Sequence, residues 1–347
     1  MIMKILISII ATMTFIAATP QNTKAQEISS PSEYLEALYT PFEDISSKTW
    51  GYLKAVTKGK SAKKIDKKRQ KLINEVKEAQ LVVRGVRGYQ GDTDMKNAIR
   101  DYLKVNYLVL NEDYDKIMDL EEIAEQSYDA MEAYLLAQEK ADATMNEAYE
   151  MVSAAQQAYA AANNINLITG EKDKRAKQIE HASDMIEHRN DLYLIFFKVF
   201  KEEAYVMEAL AMEDVSAIEQ HNNSMIAFVE EGLDQIDDIE PFLGDTRLKS
   251  ATRTILNFYK KEAEKEIPGL VDFFVSKDDF DRIQKKLDRK KKKDRTQEDI
   301  DAYNNAANDF NKAANAYNQI INRVNKGRAT SFNNYNKAME DFFNRHN

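Results

Sequence analysis

His181 and His188 are the residues whose type and spacing come nearest to metal chemistry. They stand seven apart on one predicted helix face, each preceded by a glutamate, Glu180 and Glu187, and Asp184 lies four before His188. Imidazole and carboxylate groups so spaced form half of a helix-bundle metal site; the other half needs ligands on a facing helix. No Glu-x-x-His motif supplies them. His181, Asp184 and His188 are therefore candidate metal ligands set against the simpler reading of a solvated polar face, and no cofactor is expected. His221 and His346 have no sequence neighbours that suggest a shared role.

Carboxylates crowd Glu112–Glu125 and Glu230–Glu240, but they read as a solvent-facing helix surface, and nothing sets one acid–base pair apart. There is no nucleophile elbow, phosphate loop or dinucleotide fingerprint. The chain reads as non-enzymatic.

Two basic runs stand against a net charge of −9: Lys58–Lys71 and Lys285–Arg295, each with eight basic residues. In the second, Lys285, Lys286, Arg289, Lys290, Lys291, Lys292 and Lys293 are candidate ligands for anionic headgroups or acidic glycans, that is, for a peripheral membrane-surface contact. The acidic total and the lack of interleaved aromatics argue against a nucleic-acid partner.

These groups must be held by helices. Only 10 Gly and 5 Pro occur in 347 residues, with 43% hydrophobic residues, a composition of helix formers with ample core. Residues 1–25 read as a signal peptide: Lys4, an apolar run from Ile5 to Ala18, then Thr23 and Ala25 as the small residues before the cut. Export follows, to the periplasm, the outer-membrane surface or the medium. With no cysteine, disulfides and thiolate zinc sites are excluded.

Apolar periodicity predicts a helix or two short ones over Ser32–Val56, with Pro41 as the break, then one over Ile65–Val83. Asp92 and Thr93 are expected to cap the next. A heptad seam from about Leu120 to Ala162 carries Tyr128, Met131, Leu135, Met145, Tyr149, Val152 and Tyr159. After a break at Asn163–Lys172, a long helix reaches Ala211, another spans Ile218–Phe242, and a third runs to Pro268-Gly269. The last covers Gln297–Arg345, with Tyr303, Phe310, Tyr317 and Val324 seven apart.

The second series mirrors the first. Tyr89–Leu103 and Phe242–Leu256 share seven of fifteen residues, among them Gly91-Asp92-Thr93 and Gly244-Asp245-Thr246, at an offset of 153. The expected fold is all-α, with bundles of long amphipathic, coiled-coil-like helices duplicated in tandem over 27–165 and 174–347.

This plan resembles the all-helical surface proteins that Gram-negative bacteria export. It is also similar to the imelysin-like tandem four-helix bundles, through the two-fold plan and His181-Ala182-Ser183-Asp184. That family's motif has a glycine two before the histidine and a glutamate three after it; here Ile179 and Asp184 stand there. Long seams and charge patches, without catalytic apparatus, lead us to expect a non-enzymatic envelope protein that binds another envelope protein, a glycan or itself.

Overall fold

The computed structural model describes residues 28–113, 127–167 and 174–347. Every regular element among them is helical, so the all-α class is observed. The signal-peptide reading of 1–25, and most of the acidic run Glu112–Glu125, fall outside the described residues. No helix among them is long and apolar enough to cross a membrane.

The elements are α1 (Pro31–Tyr39), α2 (Pro41–Thr57), α3 (Ala62–Gly85), α4 (Asp94–Leu108), a first π turn (Val109–Asp113), α5 (Tyr128–Ala162), α6 (Lys174–Ala211), α7 (Val215–Asp238), α8 (Arg247–Lys261), a second π turn (Glu262–Glu266), α9 (Ile267–Asp288) and α10 (Gln297–His346). They divide into two compact units. One holds the described residues up to His188 together with Phe343–Asn347; the other is Arg189–Phe342.

In the first unit, Ser30 caps α1 by accepting the Glu33 amide at 3.2 Å, while the Glu33 carboxylate accepts the Ser29 amide at 2.8 Å. Pro41 resolves the one-or-two question in favour of two helices, because its missing N–H is harmless only in a first turn, where it opens α2. The core gathers Tyr34, Leu38, Phe42, Val76, Tyr102 and Val152, with Phe42 stacked on Tyr102 at 6.0 Å. The α5 seam buries Met131, Met145, Val152 and Tyr159, and Ala141 and Ala148 are buried beside them. A smaller cluster joins Leu53, Ala176, Ile179, Ala182 and Ile186 to Phe343.

The second unit is organised round Phe196, whose ring lies 4.4 Å from Tyr335, 6.2 Å from Phe332 and 6.5 Å from Tyr259. Pro268-Gly269, expected to end a helix, instead lies in the first turn of α9. That position tolerates a proline, and Gly269 lets Ile320 approach to where a Cβ would sit at 2.6 Å. α9 and α10 then face each other through aromatics: Phe280 stacks on Phe310 at 5.3 Å and meets Tyr303 at 5.6 Å, while Phe273 meets Tyr317 at 4.6 Å.

Elements recur at a constant separation. α3 and α7, α4 and α8, and the two π turns begin and end 153 residues apart. All five buried residues of α4 (Met95, Ile99, Tyr102, Leu103, Asn106) fall on the five of α8 (Leu248, Thr252, Ile255, Leu256, Tyr259). In the turns before them, Gly91 and Gly244 have φ of 87° and 80°, and Gln90 and Leu243 both have φ of 49°. Asp92 Oδ1 accepts the Asp94 amide at 3.3 Å and Asp245 Oδ1 the Arg247 amide at 3.0 Å. Asp, not Thr, thus caps both helices; neither Thr93 nor Thr246 makes a side-chain cap.

Candidate functional site

Most charges lie on helix surfaces. A buried charged group lies in the second unit, where α6, the second π turn and α10 bring Glu203, Glu262 and Arg328 together. Arg328 Nη2 donates to Glu262 Oε1 at 2.7 Å, lies 3.3 Å from Met207 Sδ, and makes an ion-pair contact with Glu203 Oε1. The two carboxylates are 3% and 2% exposed and the guanidinium 20%. Glu262 Oε2 and Arg328 Nε have no hydrogen-bond partner, and the Glu203 Oε1 contact lacks hydrogen-bond alignment. One turn on, Arg323 clasps Glu266 with both nitrogens, its Nε at 3.0 Å from Oε1.

Local structure explains the convergence. Glu203 sits on the apolar stripe of α6, between Val199 and Val206, both fully buried, so its carboxylate cannot reach water. The π turn widens the helix by one residue, turning Glu262 and Glu266 inward together. Asn222 of α7 fastens that turn by donating to the Ala263 carbonyl at 3.1 Å. In the first unit Arg69 donates to the Leu110 carbonyl at 3.0 Å, the same bond 153 residues earlier. There the residue corresponding to Glu262 is the buried Val109.

The electrostatics follow from burial. Desolvation pushes Glu203 up to about 7, against the pull of Arg328 and with the added repulsion of Glu262. Burial also raises Glu262, again against Arg328. Glu266 is lowered by its bonds from Arg323. The Tyr259 hydroxyl is raised by burial and by both glutamates. A single guanidinium therefore serves two dry carboxylates, which leaves the trio one negative charge in excess when all three ionise.

The residues singled out by sequence are placed differently. His181 Nε2 donates to the His346 carbonyl at 2.8 Å, beside a shallow depression lined by Lys174, Lys177 and Gln178. His188 is buried and Asp184 half-buried. Among the described residues, no three His, Asp or Glu side chains converge as a metal-holding group. His221 does have a partner: its Nδ1 lies 3.0 Å from Glu202 Oε2 and its ring 5.2 Å from Tyr205. In the basic run, Lys285, Lys286, Arg289, Lys291, Lys292 and Lys293 are exposed. Lys290 is drawn out of that set, since its ammonium holds both Asp299 oxygens at 2.6 Å across the α9–α10 connection. Arg69, in the other basic run, is buried and bonds Asp66 at 3.0 Å.

Sequence reasoning passed over Glu203, Glu262, Glu266, Arg323 and Arg328. Two signals pointed to them: a glutamate on an otherwise apolar helix stripe, and a glutamate where the paired position of the first series holds Val109. Compared with family models, curated proteins and solved structures, the chain matches none.

Proposed function

We propose that the chain is an exported, non-enzymatic protein of the cell envelope or surface, built as a tandem duplication of one helical bundle, and that it works by binding or scaffolding another macromolecule. The duplication is supported by the 153-residue correspondence of helices, π turns and capping bonds. The binding role rests on one observation. The α9–α10 hairpin carries an aromatic ladder between its two helices, with Phe273, Phe280, Tyr303, Phe310 and Tyr317 half-buried and Val275 and Ile300 exposed. Rings with one covered face supply large, rigid contact area at low entropic cost.

The test is a pull-down of the tagged chain from its own envelope fraction, with Val275→Glu/Ile300→Glu as the control. A reproducible partner lost in the double variant supports the reading. Equal capture by both forms, or a hydrolytic activity abolished by replacing one side chain, overturns it. Export has its own check: protein recovered from cells should begin at Gln26.

A second reading, an anionic lipid or glycan surface as partner, is favoured by the exposure of Lys285, Lys286, Arg289, Lys291, Lys292 and Lys293 near the tip of the same hairpin. It predicts binding to vesicles containing an anionic lipid that weakens steeply with salt, as charges beyond a Debye length of about 8 Å are screened at physiological strength. Replacing Lys291, Lys292 and Lys293 by Gln should reduce it; binding unaffected by these changes would end this reading.

A further inference from the structure

We propose that Glu203, Glu262 and Arg328 form a proton-binding site, in which one carboxyl proton is held between two buried glutamates that share a single guanidinium, latching α10 onto α6 and the second π turn.

The geometry requires an arrangement of this kind. Arg328 Nη2 serves Glu262 at 2.7 Å and touches Glu203, and both carboxylates are nine-tenths or more buried. Two ionised carboxylates on one cation leave an uncompensated charge in a region too dry to solvate it. Binding one proton removes that charge. It also turns a carboxylate oxygen into a donor, and Glu262 Oε2 and Glu203 Oε1 stand without aligned hydrogen bonds. The proton comes from water and returns to water, so no further reactant is involved.

Among the described residues, Arg328 is the cation that acts on both carboxylates. α8 contributes the Tyr259 hydroxyl, which is held neutral by burial and by the two glutamates. The π turn contributes Glu266, already clasped by Arg323 of α10. α7 contributes Asn222, occupied with the Ala263 carbonyl, and His221, which is paired with Glu202. Lys261 and Lys265 act on Glu266. The corresponding position of the first unit holds Val109, so the site belongs to the second unit alone.

The sign follows from linkage. The folded state holds the Glu203 proton up to about pH 7, whereas an unfolded glutamate releases it near 4.5. The stability this proton confers is complete below the lower value and lost as pH rises through the upper one. Across that window the unfolding equilibrium constant should rise up to about tenfold per pH unit.

The experiment is equilibrium denaturation of the full chain at several pH values between 4.5 and 8, wild type against Glu203→Gln, with infrared spectra of the wild type at pH 5.5 and 8.5. Glutamine mimics the protonated acid, so the variant should be at least as stable as wild type at pH 8, with the stability difference between them shrinking toward pH 5. A protonated-carboxyl band present at pH 5.5 and lost by pH 8.5 should accompany this. His221 is common to both proteins and drops out of the difference. A difference independent of pH overturns the proposal. If Glu203→Gln does not fold, the wild-type spectrum decides alone: absence of the carboxyl band at pH 5.5 overturns it.

Discussion

Lys96 and Lys249 do the same work 153 residues apart. The Lys96 ammonium donates to the Arg84 carbonyl at 2.9 Å and also to that of Val86; the Lys249 ammonium donates to Asp237 at 3.1 Å and to Ile239 at 2.6 Å. In each case a helix has just ended, its last carbonyls lack amides, and a lysine from the next helix reaches back to satisfy them. Replacing either lysine with methionine keeps the apolar stem and removes the donor. Each change should cost about 1 kcal/mol, the low end for a charged donor at a partly exposed site. Urea denaturation would check this, and unequal costs would weaken the equivalence of the two turns.

That relationship also marks how far the sequence could be read. Gly-Asp-Thr was legible because its physics is local: glycine takes a positive φ, the aspartate accepts an amide two residues on, and each consequence lies within one turn of the chain. The apolar seams were legible because helical periodicity is local too. Glu203, Glu262 and Arg328 were not, because they lie far apart in the chain and each resembles an ordinary helix-surface charge until the neighbouring helix is in place. The histidine spacing was silent for the complementary reason: one helix says nothing about the facing helix, which offers His181 a backbone carbonyl. The second π turn had no signature at all, since Glu262–Glu266 are all good helix formers.

Two helical glycines should respond to alanine with opposite signs. A Cβ on Gly232 would sit 2.7 Å from Ile195 Cγ2 and 3.2 Å from Leu256 Cδ1, so neither neighbour can yield without disturbing the core. Gly232→Ala should therefore cost about 1–3 kcal/mol. At Gly51 the nearest atom is the flexible Lys68 ammonium at 3.9 Å. Gly51→Ala should stabilise by about 0.5–1 kcal/mol through the entropy it removes from the unfolded chain. Thermal melts of both variants are enough to see it.

Lys290 should part company with its neighbours in sequence. It bridges to Asp299, whose carboxyl is lowered to about 2 by that lysine and by the Thr296 amide and hydroxyl. Lys290→Gln should loosen the α9–α10 connection slightly, whereas Lys291→Gln, Lys292→Gln and Lys293→Gln should leave stability unchanged. A lowered pKa contributes stability that is present above the ordinary value of 3.8 and lost as pH falls through about 2. The gap between wild type and Lys290→Gln should accordingly close in strong acid. Hydrogen exchange at Gln297–Ile300 provides a local readout.

Arg328→Leu tests the buried cluster from the cationic side. At pH 8 it leaves Glu203 and Glu262, each almost fully buried, with no counter-charge. Removing one partner of a buried ion pair typically costs about 3–5 kcal/mol. Both carboxylates can instead take up protons, so the variant should recover most of that loss by pH 5, and its stability should fall with rising pH more steeply than that of wild type, which binds one proton fewer. A loss of the same size at both pH values would mean that Arg328 serves mainly by packing its stem beside Met207, where its Nη2 lies 3.3 Å from the sulfur. Arg328→Met separates these contributions, since it restores apolar volume without charge: full stability at pH 5 together with a deep loss at pH 8 would assign the effect to the uncompensated carboxylates.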